Sequence, residues 1–231
     1  MPRALVIETS GRIGSVALVD GSSVIAEEKF PHGLRHAAEI LPMIDRLCRG
    51  RGWSAKDLEH IYVSAGPGSF TGLRIGVTLA KTLAFATGVK LVSVPTVRVL
   101  AGNAPPEAMH LIIVLDAKRE QIFTARFERI GDAWVEREPA HLDALTAMIE
   151  RSPRPVHLLG EGIPFHEKFA VKEAGVCIAP PESWRARAGA VAKIGLELAD
   201  AGEFADPFLL TPIYIRKPEA QEKREGPALS K

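Results

Sequence analysis

The sequence predicts an α/β protein made of two successive sheet-and-helix units, the second smaller than the first. Three observations predict it. Short β-branched runs alternate with amphipathic stretches down the chain, the order expected of a sheet layered with helices. Each unit opens on a strand that runs into an acid, Glu8 in the first and Asp116 in the second. Between Ile61, Tyr62, Val63 and a long apolar helix stands the turn Gly66, Pro67, Gly68. There the glycines reach backbone angles closed to other residues while Pro67 fixes φ between them.

Taken in order, a strand over 4–9 turns through Gly11 and Gly14 into a strand over 15–20, and Asp20 with Gly21 reverses the chain into 24–30, an antiparallel meander. A helix over 34–51 follows, with Ala37, Ile40, Leu41, Ile44, Leu47 and Cys48 on its apolar face and Pro42 set either to kink it or to sit where a lost N–H is tolerated. The strand through 61–63 leads to a helix over 71–87 with Ser69 or Thr71 at its N-cap. A strand over 90–94 and a short helix begun by Pro95 complete a βββαβαβα order. The turn-forming residues Gly102 to Pro106 mark a boundary, giving an N-terminal subdomain 1–102 and a C-terminal subdomain 103–216. In the second unit, strands are expected over 111–116, 121–127, 133–136 and 156–159. Helices are expected over 142–151, after Gly160-Glu161-Gly162, and over 187–201. The polar tail 217–231 reads as mobile.

Composition bounds the function classes. With 46% hydrophobic and 25% charged residues in 231, the chain has the makings of ordinary globular cores. Its 29 Lys and Arg against 28 Asp and Glu provide neither a basic field for nucleic acid nor an acidic one against it. The N-terminus lacks an apolar leader and cleavage site, and no run reaches the ~18 apolar residues of a membrane span, so a cytoplasmic location is expected. Cys48 falls in a helix and Cys177 in a segment read as a buried strand, which favours two packed, reduced thiols over a disulfide or metal site.

The helix over 71–87 is apolar on nearly all sides and so must be covered on nearly all sides. Gly72, Gly76, Ala80 and Ala84 recur every four residues as a ridge with almost no side chain, while Arg74, Thr78 and Lys81 form a narrow polar line. The ridge is expected to admit a second helix, from its own domain or from another chain, closer than the usual 8–10 Å between axes. A phosphate cradle is the rival use of the glycine turn. Both the Walker spacing and Gly-x-Gly-x-x-Gly are missing, so the structural turn is preferred.

Other constellations are weaker. His32 and His36 have a metal-ligand spacing, but Gly33 and Pro31 put His32 in a loop and no acid lies between them. Asp116 with Lys118, Arg119 and Glu120 marks either a site at a strand end or a solvated hairpin. Gly160 and Gly162 flank a loop where a nucleotide would find backbone. Arg46, Arg49 and Arg51 suit a helix C-terminus, and Trp184 among Arg185 and Arg187 has the interleaving of an RNA-binding surface.

Four stretches together resemble the TsaB family, formerly YeaZ. They are Ile-Glu-Thr-Ser at 7–10 with Ser-Val-Ala-Leu at 15–18, His-Ala-Ala-Glu-Ile-Leu-Pro at 36–42, the glycine stretch at 64–76, and Leu-Thr-Pro-Ile-Tyr-Ile-Arg at 210–216. The resemblance spans nearly the whole chain. It implies the actin/heat-shock-chaperone-ATPase-like fold, two βββαβα-type halves flanking a cleft. It also implies a non-catalytic dimerisation or scaffold subunit that binds and activates TsaD for threonylcarbamoylation of the tRNA adenosine beside the anticodon. TsaE would join a ternary complex, the chain would be a homodimer when alone, and tRNA would be touched indirectly or weakly, with no membrane. TsaD resembles this chain in its first half but carries a metal-binding His pair on the helix after the fifth strand, where this sequence has Pro95 to Ala101 and no histidine. No metal and no cofactor are therefore expected on this chain alone, ATP and metal being placed on TsaD and TsaE, with Thr9, Ser10, Gly160 and Gly162 as weak nucleotide-loop candidates. No catalytic residue is expected. The partner-binding residues expected on the helices over 34–51 and 71–87 are Ile40, Ile44, Gly72, Arg74, Gly76, Val77, Ala80, Lys81 and Ala84. The alternative is a small-molecule kinase or ATPase of the same fold, which needs intact glycine-rich phosphate loops and a general-base carboxylate.

Overall fold

The computed structural model describes residues 2–31, 36–169 and 173–216, with no side-chain description at 31 and 36–38. The tail 217–231 and His32 lie outside these. The first unit runs β1 (Arg3–Glu8), β2 (Ile13–Asp20), β3 (Ser23–Pro31), α1 (His36–Gly50), β4 (His60–Gly66), α2 (Phe70–Thr87), β5 (Lys90–Pro95) and α3 (Thr96–Ala101). Its five-stranded sheet has the order β3-β2-β1-β4-β5, with the meander antiparallel and β4 and β5 parallel to β1 and to each other.

Alternation along β1 and β2 divides the layers, since successive side chains point to opposite faces. Leu5, Ile7, Val16 and Leu18 meet Ile40, Ile44 and Cys48 of α1 and Val77, Ala80 and Ala84 of α2. Ala4, Val6, Ala17 and Val19 face the other way, towards α3 and the last helix. Pro42 is accommodated inside α1 on an exposed position. Ser69 is the N-cap of α2, accepting from Gly72 N–H at 3.3 Å, and Gly88 ends the helix in the left-handed conformation at φ 75°.

The second unit runs β6 (His110–Ile113), β7 (Leu115–Asp116), β8 (Ile122–Ile130), β9 (Ala133–Asp143), α4 (Leu145–Arg151), β10 (Val156–Leu159), α5 (Ile163–His166), β11 (Val176–Ile178) and α6 (Ala188–Asp200). Its sheet has the order β11-β10-β6-β8-β7, with β9 paired to β8. Leu111, Ile113 and Phe127 join the core that includes α6, and Ile112, Val114 and Leu158 face α4 and α5. Two sheets carrying helices make the two successive α/β units that the sequence pattern predicts, the arrangement that the family resemblance also implies. α6 closes the far face of the first sheet, and side chains of that sheet bind its N-terminal amides. Ser15 Oγ accepts from Ala188 N–H at 2.8 Å and Glu27 Oε1 from Gly189 N–H at 3.3 Å.

Three expectations are corrected. The strand expected over 133–136 continues to Asp143, taking the first residues of the helix expected over 142–151. Arg126 and Arg151 explain the extension, bridging to Glu138 at 2.7 and 3.0 Å, with Arg151 also reaching Asp143 at 2.5 Å. Pro139 is tolerated because β9 pairs on one side only, with β8. The helix after Gly162 is a single turn followed by a 3-10 turn at Glu167–Phe169. Cys177 is exposed, not packed, because β11 lies at the edge of its sheet, whereas Cys48 is buried as expected.

Candidate functional site

Two surfaces gather the residues singled out in the sequence. The first is the outer side of α2. The ridge of this helix does not look outward: Gly72, Gly76, Val77, Ala80 and Ala84 are buried within the chain, Ala80 completely. A Cβ at Gly72 would overlap the Thr9 carbonyl oxygen, and one at Gly76 would overlap Thr9 Oγ1. The expectation that this ridge presents itself to another chain is therefore corrected. The small residues let α2 lie against the end of β1. Ile40 and Ile44 of α1 are likewise buried, in the core beneath the same sheet.

What α2 leaves uncovered is the line Arg74, Thr78, Thr82, Phe85, with Phe70 at its start. Spacings of four, four and three keep these on one face. Residues 205–216 run beside that face as a strap. Ala205 N–H bonds to Leu91 O at 2.7 Å, Lys81 Nζ to Leu210 O at 2.8 Å, and Ile213 N–H to Ala65 O at 2.7 Å. Arg74 donates from Nε to Tyr214 Oη at 2.9 Å and lies over the Phe70 ring, 3.8 Å from its centroid. Phe85 packs edge-on against Phe208, and Lys81, Thr82, Pro207 and Phe208 line an open pocket of about 280 Å³ with it. Phe85, Phe208 and Leu209 nevertheless stay 71%, 73% and 78% exposed. So much apolar area in one place is the usual mark of a contact surface.

The second lies where the two units meet, at the ends of β1, β7 and β10, where the resemblance places a cleft. Glu8 is fully buried, its Oε1 accepting from Ser10 N–H at 2.5 Å and from Ser10 Oγ–H at 2.6 Å. Neither Glu8 Oε2 nor the buried Thr9 Oγ1 has a hydrogen-bond partner among the described residues. Burial, first of all, pushes the Glu8 carboxyl above its ordinary value, and the negative charge of Glu161 adds to the rise, against hydrogen bonds from Ser10 and Ser64.

The loop of Gly160, Glu161 and Gly162 does not stand open to a nucleotide. Side chains at Gly160 and Gly162 would collide with the Val114 carbonyl and the Asp116 amide, so the glycines clamp the loop onto β6 and β7. Glu161 reaches across to the turn after β1, taking Arg12 N–H on Oε2 at 2.9 Å and Arg185 Nε–H on Oε1 at 3.2 Å. Ser10 turns its carbonyl to Ser69 N–H at 2.7 Å and lies against Gly68. The loop thus meets the turn after β1 at Gly11 and Arg12, while Thr9 and Ser10 are engaged by the start of α2. Asp116 accepts from Lys118 N–H and faces the buried His166 Nε2, each at 3.2 Å. Lys118, Arg119 and Glu120 all hold φ between 53 and 61°, a left-handed run costing about 1–2 kcal/mol per residue.

Sequence reasoning missed Arg12 and His166, and it named Glu161 and Arg185 without the contact between them. The one local signal was an acid set between two glycines. The Trp184 stretch is engaged within the chain, Trp184 Nε1–H on Ala179 O and Arg187 on Glu182 O. Arg46 and Arg49 pair with Glu28 and Asp45. No three metal-ligating side chains cluster among the described residues, and no helix among them is long and apolar enough to cross a membrane.

Residues 33–181 match the family model described as TsaD, tRNA N6-adenosine threonylcarbamoyltransferase. The chain is 30% identical to the tRNA threonylcarbamoyladenosine biosynthesis protein TsaB of Bacillus subtilis, over 95% of this chain and 96% of that one. Against the Escherichia coli protein of the same name the identity is 27%, over 97% and 99%. Among solved structures, YeaZ from Pseudomonas aeruginosa superposes with a TM-score of 0.78 at 22% identity, covering 93% of this chain and all of that one, a likeness of fold.

Proposed function

This chain belongs to the TsaB (YeaZ) family, and from that membership we propose that it is a non-catalytic subunit that docks on TsaD and activates it for threonylcarbamoylation of the tRNA adenosine beside the anticodon. The coarse function is a part in tRNA threonylcarbamoyladenosine biosynthesis, as in its TsaB relatives. One observation carries the finer reading: α2 and the strap leave Phe85, Phe208 and Leu209 largely uncovered on the outside of the first unit. Exposed aromatic and aliphatic side chains around a charged anchor such as Arg74 are the usual composition of an interface centre. In this reading the same face pairs two copies when the chain is alone, and TsaE joins as a third component. ATP and metal sit on TsaD and TsaE, tRNA is touched indirectly or weakly, and the work is done in the cytoplasm.

The test uses Thr78→Arg and Phe85→Asp, both at exposed positions of α2. Each should weaken TsaD binding at least tenfold, about 1.4 kcal/mol, and lower tRNA modification in a reconstituted reaction. The melting temperature should stay within about 2 °C of the parent, as surface changes do. Two variants that bind TsaD as tightly as the parent would remove this face from the reading.

A further inference from the structure

We propose that Glu161 is the cleft's own anion: its carboxylate occupies an oxyanion seat formed by the turn after β1 and by Arg185, and so keeps external phosphate out. The inference stands apart from docking on TsaD, because it concerns the cleft and not α2. The seat is defined by two donors. Arg12 offers a backbone N–H at 2.9 Å and Arg185 a guanidinium N–H at 3.2 Å, and a backbone amide with a guanidinium is a common way to hold a phosphate or carboxylate oxygen.

The surroundings are shaped to deliver this one side chain. A Cβ at Gly11 would stand 2.8 Å from Glu161 Oε2, so the turn has to be bare there for the carboxylate to come in. Gly160, at φ 142°, and Gly162 let the loop lie flush on Val114 and Asp116, which fixes the direction in which Glu161 leaves it. The Arg12 side chain lies over the Phe165 ring, its guanidinium 4.9 Å from the centroid. With a side chain only 15% exposed, Glu161 is held rather than waving in solvent.

A second carboxyl lies behind the first. Glu8, fully buried with Oε2 unpartnered, is close enough for the charge of Glu161 to raise its pKa. Any polyphosphate entering the cleft would meet the Glu161 carboxylate at the donors it needs and would crowd negative charge onto Glu8. An internal carboxylate pays its positional entropy once, at folding, so its effective concentration at the seat exceeds that of a free anion. Exclusion therefore rests on a group that a single substitution removes.

The experiment is a pyrophosphate titration at constant ionic strength on the full chain, the Glu161→Ala and Glu161→Gln variants, and the Glu161→Ala/Arg185→Ala double variant. Thermal unfolding and hydrogen exchange at the Arg12 amide are followed together. Both single variants should exchange the Arg12 amide at least tenfold faster than the parent. In Glu161→Ala, pyrophosphate should raise the melting temperature and slow that exchange again, whereas the parent should not respond. The double variant should respond at least tenfold more weakly. Should Glu161→Ala fail to fold, the isosteric Glu161→Gln decides through its Arg12 exchange, and an unchanged rate overturns the proposal. A parent as responsive to pyrophosphate as Glu161→Ala, or a folded Glu161→Ala with no response, overturns it as well.

Discussion

Glu8 has no access to water, and hydrogen bonds from Ser10 and Ser64 do not offset its burial, so ionising it in the fold is unfavourable. Its folded pKa is raised above the ordinary 4.5. The folded state therefore holds the proton more tightly than the unfolded chain does. The associated stability is full below about pH 4.5 and is lost as pH rises through the folded pKa. Glu8→Gln keeps an acceptor for Ser10 and has no charge to bury. Its stability should not show this loss, so that parent and variant diverge as pH rises, with the variant the more stable at neutral pH. Urea midpoints measured at several pH values would show it, and parallel curves would contradict it. Little at this scale was legible beforehand. Arg12 and Glu161 are 149 positions apart, and nothing local to either residue announces the other. The acid at the end of β1 was visible as an acid, but its depth is a fact of tertiary packing.

Among the elements, α2 shows both the reach of sequence patterns and their limit. Its extent, its Ser69 cap and its ridge of small residues were all readable, because spacing and capping chemistry are local. Periodicity defines a face without saying what covers it. The ridge turned out to meet Thr9 of the same chain, since a strand end needs close approach just as a second helix does. Ala80→Arg should consequently unfold the protein, costing several kcal/mol for a charge with no water and no partner, while Thr78→Arg two residues away changes stability by about 0.5 kcal/mol or less. Circular dichroism melts of the pair would separate the two faces. An Ala80→Arg variant melting like the parent would mean that the ridge is open after all. The same distinction explains β9. Its alternation is diluted by charges and by Pro139, and what extends it is the contact of Glu138 and Asp143 with Arg126 and Arg151, on the neighbouring strand and the following helix.

At the scale of the whole molecule, the two units are joined by more than the connection after α3. α6, late in the chain, packs on the first sheet, and the strap then crosses the β5 edge and α2 before Arg216 bonds to Ala117 O and Gln121 Oε1 in the second unit. The order of strands and helices was legible because each obeys a local period. This return path was not, because residues 205–216 have no period at all. Ending the chain at Glu203 removes the hydrogen bonds to Leu91, Lys81 and Ala65, each worth about 1 kcal/mol, and uncovers Leu91. Stability should fall by roughly 3 kcal/mol, read from the urea midpoint. A midpoint unchanged by truncation would show that the strap only rests on the surface.

The strap also sets a time order. Phe208 and Tyr214 stand against Phe85 and Phe70 of a helix translated more than a hundred residues earlier. During synthesis the outer face of α2 is bare of these neighbours until residues 205–216 leave the ribosome. Any molecule that reads helix and strap together meets only chains extended through Tyr214, so the order of synthesis delays that surface until the strap has been made.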